Sequence, residues 1–191
     1  MAQNRPRLLL HICCATCAAY VLEQMRHDYD VTALYYNLNI YPREEYQRRF
    51  SESQEYCAKH GISFIEIPPD GENWLAMTRG HEQDPERGGR CTICYRMRLQ
   101  KTAEYAKARE FDLFGTDLSI SPHKDARRLN QIGKELEKEY SVMFLEADFK
   151  KQDGFKKAMA LSRKEGFYRQ DYCGCKYSIR KNIQFPITNI Q

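Results

Sequence analysis

Nowhere in the 191-residue chain is there a run of about 18 consecutive apolar residues, so no membrane-spanning helix is expected and no membrane partner. A secretory leader is missing as well. The opening "MAQNRPRLLLHICC" has a short apolar stretch but neither a proper hydrophobic region nor a small-residue cleavage site. The chain is therefore read as cytoplasmic. There is no internal repeat, low-complexity tract or linker, which leaves one globular domain over 1–191 with room for a real core. Glycine is the most telling shortage. ATP-binding α/β proteins place glycine or serine in the turn after the first strand, where backbone N–H groups hold phosphate. Here that turn is "HICCATC", residues 11–17, with no glycine, so ATP is not expected.

What stands there instead is thiol. The chain has 8 cysteines, many for a reducing compartment. Disulfide scaffolds are usually shorter, secreted and loop-rich, so metal or redox chemistry is the better explanation. Seven cysteines are grouped: Cys13, Cys14 and Cys17 after the first strand; Cys91 and Cys94 in a CxxC at a helix start; Cys173 and Cys175 in a CGC. A helix N-terminus favours thiolate, and Gly174 lets the CGC backbone turn tightly. Cys57 stands alone in a helix and reads as a buried small hydrophobe. One structural zinc or one [4Fe–4S] cluster takes four thiolates and leaves three over. Seven fit a cluster plus a second metal, or a cluster plus redox thiols.

Strand and helix patterns alternate. Strands are expected at "RLLLHI", "VTALYYN", "ISFIEIP", "FDLFGTDLS" and "SVMFLEA". The intervening helices run from about Cys14 to His27, from Pro42 to Gly61, from Cys91 to Glu110, and from a cap near Ser121 to Tyr140, with a short one around Trp74 and a last one closed by Gly166. This predicts a single doubly wound α/β domain: a five-stranded parallel sheet flanked by helices, with the metal site at the carboxyl ends of the strands. Residues 167–191 form a C-terminal tail that contributes ligands.

Net charge is only +4, but basic residues are concentrated. Residues 87–101 carry five Lys/Arg and no acid, and residues 149–191 carry ten Lys/Arg against Asp153, Glu165 and Asp171. Such segments suit a polyanion such as nucleic acid, or are simply solvated faces.

Five segments carry a resemblance: "LLLHICCATC", "RCTICYRMRL", "ISPHKD", "ADFKKQDGF" and "YRQDYCGCKYS". Together, in order and over almost the whole chain, they resemble the epoxyqueuosine reductase family of the QueH type. The family places proline where Thr16 stands. The resemblance implies an adenine nucleotide α-hydrolase-like fold and a cobalamin-independent oxidoreductase of tRNA processing. Its substrate would be epoxyqueuosine at the wobble position of a tRNA anticodon. Two-electron reduction would remove the epoxide oxygen as water and complete queuosine. It also implies an iron–sulfur cluster beside another metal ion, here taken as iron, and an electron donor that the sequence does not name. A cluster delivers electrons singly, and the neighbouring iron would polarise the epoxide oxygen.

On that footing Cys14, Cys91, Cys94 and Cys173 are expected to hold the [4Fe–4S] cluster. Cys13, Cys17 and Cys175 would hold the second metal, completed by Asp148 or, as second choice, Asp117. Adjacent Cys13 and Cys14 are expected to aim at different neighbours. His11, at the strand end, reads either as the proton donor or as a satisfied core histidine. The tRNA contacts are expected at Arg90, Arg96, Arg98, Lys124, Arg127, Arg128, Arg169, Lys176, Arg180 and Lys181, with Tyr168, Tyr172 and Tyr177 stacking on bases or packing the tail. Two other functions are compatible: an ATP-using iron–sulfur tRNA thiolase, and a non-enzymatic zinc-thiolate RNA-binding module. ATP binding would favour the first, and a colourless metal-loaded protein the second.

Overall fold

The computed structural model describes residues 5–179. Strand β1 (Arg7–Ile12) is apolar on both faces and lies at the centre of the molecule. Leu8, Leu10 and Ile12 pack to one side with helices α1 (Ala15–Met25), α2 (Arg43–Lys59) and α6 (Gly154–Glu165). Leu9 packs to the other with α4 (Gly89–Ala108) and α5 (Ala126–Tyr140). A strand buried on both faces is the mark of a parallel sheet covered by helices. The remaining strands are β2 (Asp30–Tyr35), β3 (Ser63–Glu66), β4 (Leu113–Thr116) and β5 (Met143–Phe144), with the short helix α3 (Gly71–Met77) after β3. All pairings are parallel, in the order β3-β2-β1-β4-β5. The five-stranded doubly wound sheet is as expected from the sequence.

Some boundaries differ, each for a local reason. The fourth strand stops at Thr116, whose hydroxyl accepts the Leu118 N–H at 3.2 Å and turns Asp117–Ile120 into a 3-10 turn. Helix α5 starts at Ala126, not Pro122, because Asp125 is its cap and accepts the Arg128 N–H at 3.2 Å. The fifth strand shrinks to Met143–Phe144 at the sheet edge, extended by one bond from Leu145 N–H to the Phe114 carbonyl (2.8 Å). The strand order reverses between β1 and β4, the place where such sheets open a crevice beyond their carboxyl ends. No helix of the described residues is long and apolar enough to cross a membrane.

Candidate metal centre

Chain leaving β1 enters α1 through Cys14, an extended N-cap residue with φ −172° and ψ 158°. Its carbonyl accepts the N–H of Cys17 (3.3 Å) and of Ala18 (3.0 Å), so Cys14 and Cys17 stack on the first helical turn. Cys13 closes the group. The three sulfurs lie within 4.8 Å of one another, and Cys13 and Cys14 Sγ are 3.7 Å apart. That differs from the divergence expected of adjacent residues: the chain bends at Cys13 as it leaves β1, and the two sulfurs meet. They part company in one respect: Cys13 lines the crevice and Cys14 does not. Two thiolates bound about 2.3 Å from one tetrahedral ion stand roughly 3.8 Å apart, so the Cys13–Cys14 spacing fits a shared ion.

From β4, across the switch point, comes Asp117, fully buried. One of its oxygens accepts the Cys13 N–H at 3.2 Å, while the other, Oδ1, is buried without a hydrogen-bond partner among the described residues. A buried carboxylate oxygen left free beside three thiols makes a donor set that fits a cation. Gln170 reaches in from the tail and donates from Nε2 to Cys14 Sγ at 3.0 Å.

The second group assembles from α4 and the tail. Cys91 sits in the first turn of α4 and accepts the Arg87 N–H at 3.3 Å. Cys173 and Cys175 flank Gly174, which adopts φ +101°. A Cβ at Gly174 would come 3.0 Å from Arg49 Nη1 and 3.1 Å from Ile40 Cγ1, so only glycine fits the turn. Tyr41 N–H donates to the Gly174 carbonyl at 2.8 Å, and Ile40 bridges Cys175 antiparallel. Arg49 donates to the Tyr172 and Cys173 carbonyls, both at 3.3 Å, and is held by Glu45 in a buried ion pair at 2.6 Å. A cavity of about 100 Å³ opens between the two groups, lined by Cys13, Cys17, Cys91, Cys94, Cys173 and Cys175.

The electrostatics favour one thiolate in each group. Hydrogen bonds from Cys13 and Cys17 hold Cys14 well below the usual thiol range, helped by the Arg49 guanidinium, while Cys13 is pushed up by its bonds to Cys14 and Cys17 and by burial. A hydrogen bond from Cys175 likewise holds Cys173 down, with Lys124 assisting. Burial pushes Asp117 up, and the Cys14 charge adds to it. A cation at this place would reverse that, since it favours every anionic donor around it.

Of the residues singled out in the sequence, Cys57 lies in the core, its thiol pushed up to about 12 by burial. His11 is fully buried between Thr116 Oγ1 (2.9 Å from Nδ1) and the Tyr36 carbonyl (3.1 Å from Nε2). Burial, with Arg98 nearby, lowers its pKa to about 3. A neutral imidazole with both nitrogens engaged and no face on the cavity favours the core-histidine alternative over the proton donor. Asp148 does not line the cavity and pairs with Lys150 at 3.2 Å. It follows β5, one strand further from the switch point than Asp117, which follows β4 and accepts the Cys13 N–H; neither carboxylate lines the cavity.

The basic residues divide. Arg90 and Arg98 are each 4% exposed, which leaves them little surface for the RNA backbone. Arg90 donates to the His81 and Glu82 carbonyls (both 2.8 Å) and lies over the Tyr177 ring, and Arg98 bonds Asn39. Both line the cavity, as does Lys124, paired with Glu86 at 3.1 Å. Arg96 pairs with Glu135 at the surface. Arg127, Arg128, Arg169 and Lys176 are exposed. Arg180 and Lys181 lie outside the described residues. Tyr168 lies under Arg48, and Tyr172 bonds the Tyr41 carbonyl. The sequence reading missed Arg49, Gln170 and His123, the imidazole that does line the cavity. The last two sit within the quoted "YRQDYCGCKYS" and "ISPHKD", so their signal was proximity to motif residues.

A doubly wound sheet whose switch-point crevice presents thiols in place of a glycine phosphate loop defines an α/β protein with a thiol-lined site suited to a metal or iron–sulfur group. The same fold occurs in the U34-tRNA thiolase NcsA of Methanococcus maripaludis, solved with its [4Fe-4S] cluster (TM-score 0.58, 13% identity, 93% of this chain and 63% of that one). It also occurs in a predicted tRNA methyltransferase subunit of Methanocaldococcus jannaschii (TM-score 0.55, 10% identity, 90% and 100%). At such identity the likeness is one of fold alone. The profile described as Epoxyqueuosine reductase QueH matches residues 8–181, and the chain belongs to that family. It is 38% identical over 182 residues to Epoxyqueuosine reductase QueH of Streptococcus pyogenes serotype M1, covering 92% of this chain and 71% of that one. It is 40% identical over 176 residues to that of Haemophilus influenzae (91% and 72%), and 32% identical over 176 residues to that of Thermotoga maritima (90% of each).

Proposed function

We propose that this chain is an oxidoreductase that reduces epoxyqueuosine in a tRNA anticodon to queuosine, without cobalamin or ATP, using electrons from a separate donor in the cytoplasm. The observation that carries the metal chemistry is the convergence of six thiols on one crevice, with Cys14 and the buried Asp117 carboxylate packed directly behind Cys13. Removing the epoxide oxygen as water takes two electrons and two protons, and leaves a carbon–carbon double bond. Bound here, a [4Fe–4S] cluster with a second iron would supply single electrons and a Lewis acid.

The ligand spacing supports a different partition from the one expected from sequence. Cys13, Cys14 and Cys17 are close enough for one ion, with Asp117 as fourth donor. That leaves Cys91, Cys94, Cys173 and Cys175 for the cluster, whose four ligands bind four separate iron atoms and so stand further apart. Other side chains prepare the crevice. Arg49 and Lys124 offset the negative charge of the thiolates. Trp74 and Leu118 wall off water, and the buried Trp74 Nε1, unpartnered among the described residues, offers a donor to a substrate hydroxyl. His123, on the cavity wall, holds the proton for the departing oxygen. Exposed Arg128, Arg169 and Lys176 meet the RNA backbone.

Anaerobic reconstitution followed by assay on epoxyqueuosine-containing tRNA tests the function. A brown protein that forms queuosine supports it, and a colourless or inactive holoprotein overturns it. With iron counted per chain, Cys14→Ala is expected to lose the second metal and keep the visible absorption of the cluster, and Cys94→Ala to lose that absorption. The opposite result restores the partition with Cys14 in the cluster.

A further inference from the structure

We propose that a second chamber beside the thiol cavity seats the nucleobase of the substrate nucleotide, with Asp171 and Gln170 reading its edge. The proposal rests on the substrate assigned above. The chamber measures about 140 Å³ and shares Cys17, Ser121, His123 and Gln170 with the thiol cavity, so one wall separates the two. Epoxyqueuosine is itself two-ended: an epoxidised carbocycle joined by a short aminomethyl arm to a 7-deazaguanine. If the carbocycle lies against the thiols, the base must lie one arm's length away, and the chamber offers that place.

The lining matches the base. A guanine-type edge presents N1–H and an exocyclic amine, both donors, and calls for acceptors. The Asp171 carboxylate lines the chamber, and when ionised it only accepts. Gln170 supplies the second acceptor. Its amide nitrogen is committed to Cys14 Sγ at 3.0 Å, which fixes the amide and leaves Oε1 buried with no hydrogen-bond partner among the described residues. A buried carbonyl oxygen held without a partner is costly unless a ligand supplies the donor. Phe155 and Met159, spaced i,i+4 on α6, also line the chamber and offer apolar surface for the face of the ring. Exposed Arg169 stands at the rim, where a backbone phosphate would pass. The same amide would thereby touch both a metal ligand and the base, coupling seating of the base to the geometry of Cys14.

The test uses the reconstituted enzyme and an epoxyqueuosine-containing anticodon stem-loop. Asp171→Asn, which turns one acceptor into a donor, and Met159→Trp, which fills the chamber, are each expected to raise KM for the RNA about tenfold or more with kcat held within about twofold. Visible absorption and melting temperature should match the wild type. An unchanged KM in both variants, or a rise confined to KM for the reductant, overturns the proposal. Failure of the wild type to form queuosine overturns the functional assignment instead. In that case, equilibrium dialysis of a 7-deazaguanine nucleoside decides for the chamber: weaker binding to Asp171→Asn supports it, and equal binding to both proteins removes it.

Discussion

His11 shows at the scale of one residue how a site-adjacent group can be structural. The fold holds it neutral, with a pKa of about 3 against an ordinary 6.5, chiefly through burial. A histidine depressed in this way contributes stability above its ordinary pKa. That contribution is lost as pH falls from about 6.5 toward 3, because the unfolded chain takes up the proton first. The metal-free protein should therefore melt at progressively lower temperature across that window, and His11→Gln should flatten the slope. Parallel acid limbs for the two proteins would show that His11 is not the group responsible. Asp117 is the opposite kind of residue, a buried acid beside the thiols with one oxygen unpartnered among the described residues, and we propose it as a metal ligand. Asp117→Asn should lower the iron bound per chain after anaerobic loading, whereas Asp148→Asn should leave it at the wild-type count. Metal analysis of the two variants side by side decides between the carboxylates.

Among the elements, α5 packs against the sheet edge through Gly133, where a Cβ would come 2.3 Å from the Phe144 ring. Gly133→Ala would gain helix propensity but force that ring aside, and overpacking of this kind costs about 1–3 kcal/mol. A lower melting temperature of the metal-free protein is the expected result. The elements were legible in the sequence where the pattern was strong. "RLLLHI" announced a strand, and Gly166 closed α6 as its left-handed φ of 72° requires. They were not legible where tertiary contacts decided. Met143 is 62% exposed on an edge strand of two residues, too short and too open to show a period. Asp125 took the cap from Ser121 because its carboxylate reaches the Arg128 N–H. In the site, the spacing of seven cysteines was visible, but the choice between Asp117 and Asp148 was not. That choice depends on strand order, which puts β4 beside β1 and β5 outside it. Arg49 and Gln170 escaped for the same reason, being brought to the thiols from α2 and the tail only by folding.

For the whole molecule, a modest net charge conceals a working asymmetry. Exposed Arg127, Arg128, Arg169 and Lys176 remain available for phosphate, while Arg90, Arg98 and Lys124 are turned inward to the crevice. Affinity for the anticodon arm should fall as salt rises, by roughly 0.7 log units per log unit of salt for each phosphate neutralised. Arg128→Ala and Arg169→Ala should each reduce the slope by about that amount. A slope unchanged in both would move the RNA to another face. The last consequence comes from the turn at Gly174, tied to Ile40 and Tyr41 and clamped by Arg49. Synthesis runs from the N-terminus, so Cys13, Cys14, Cys17, Cys91 and Cys94 all leave the ribosome before Cys173 and Cys175 exist. The nascent chain carries an unfinished set of reactive thiols through most of its translation. The seven grouped thiols stand together only once the CGC turn has been made and stitched to α2.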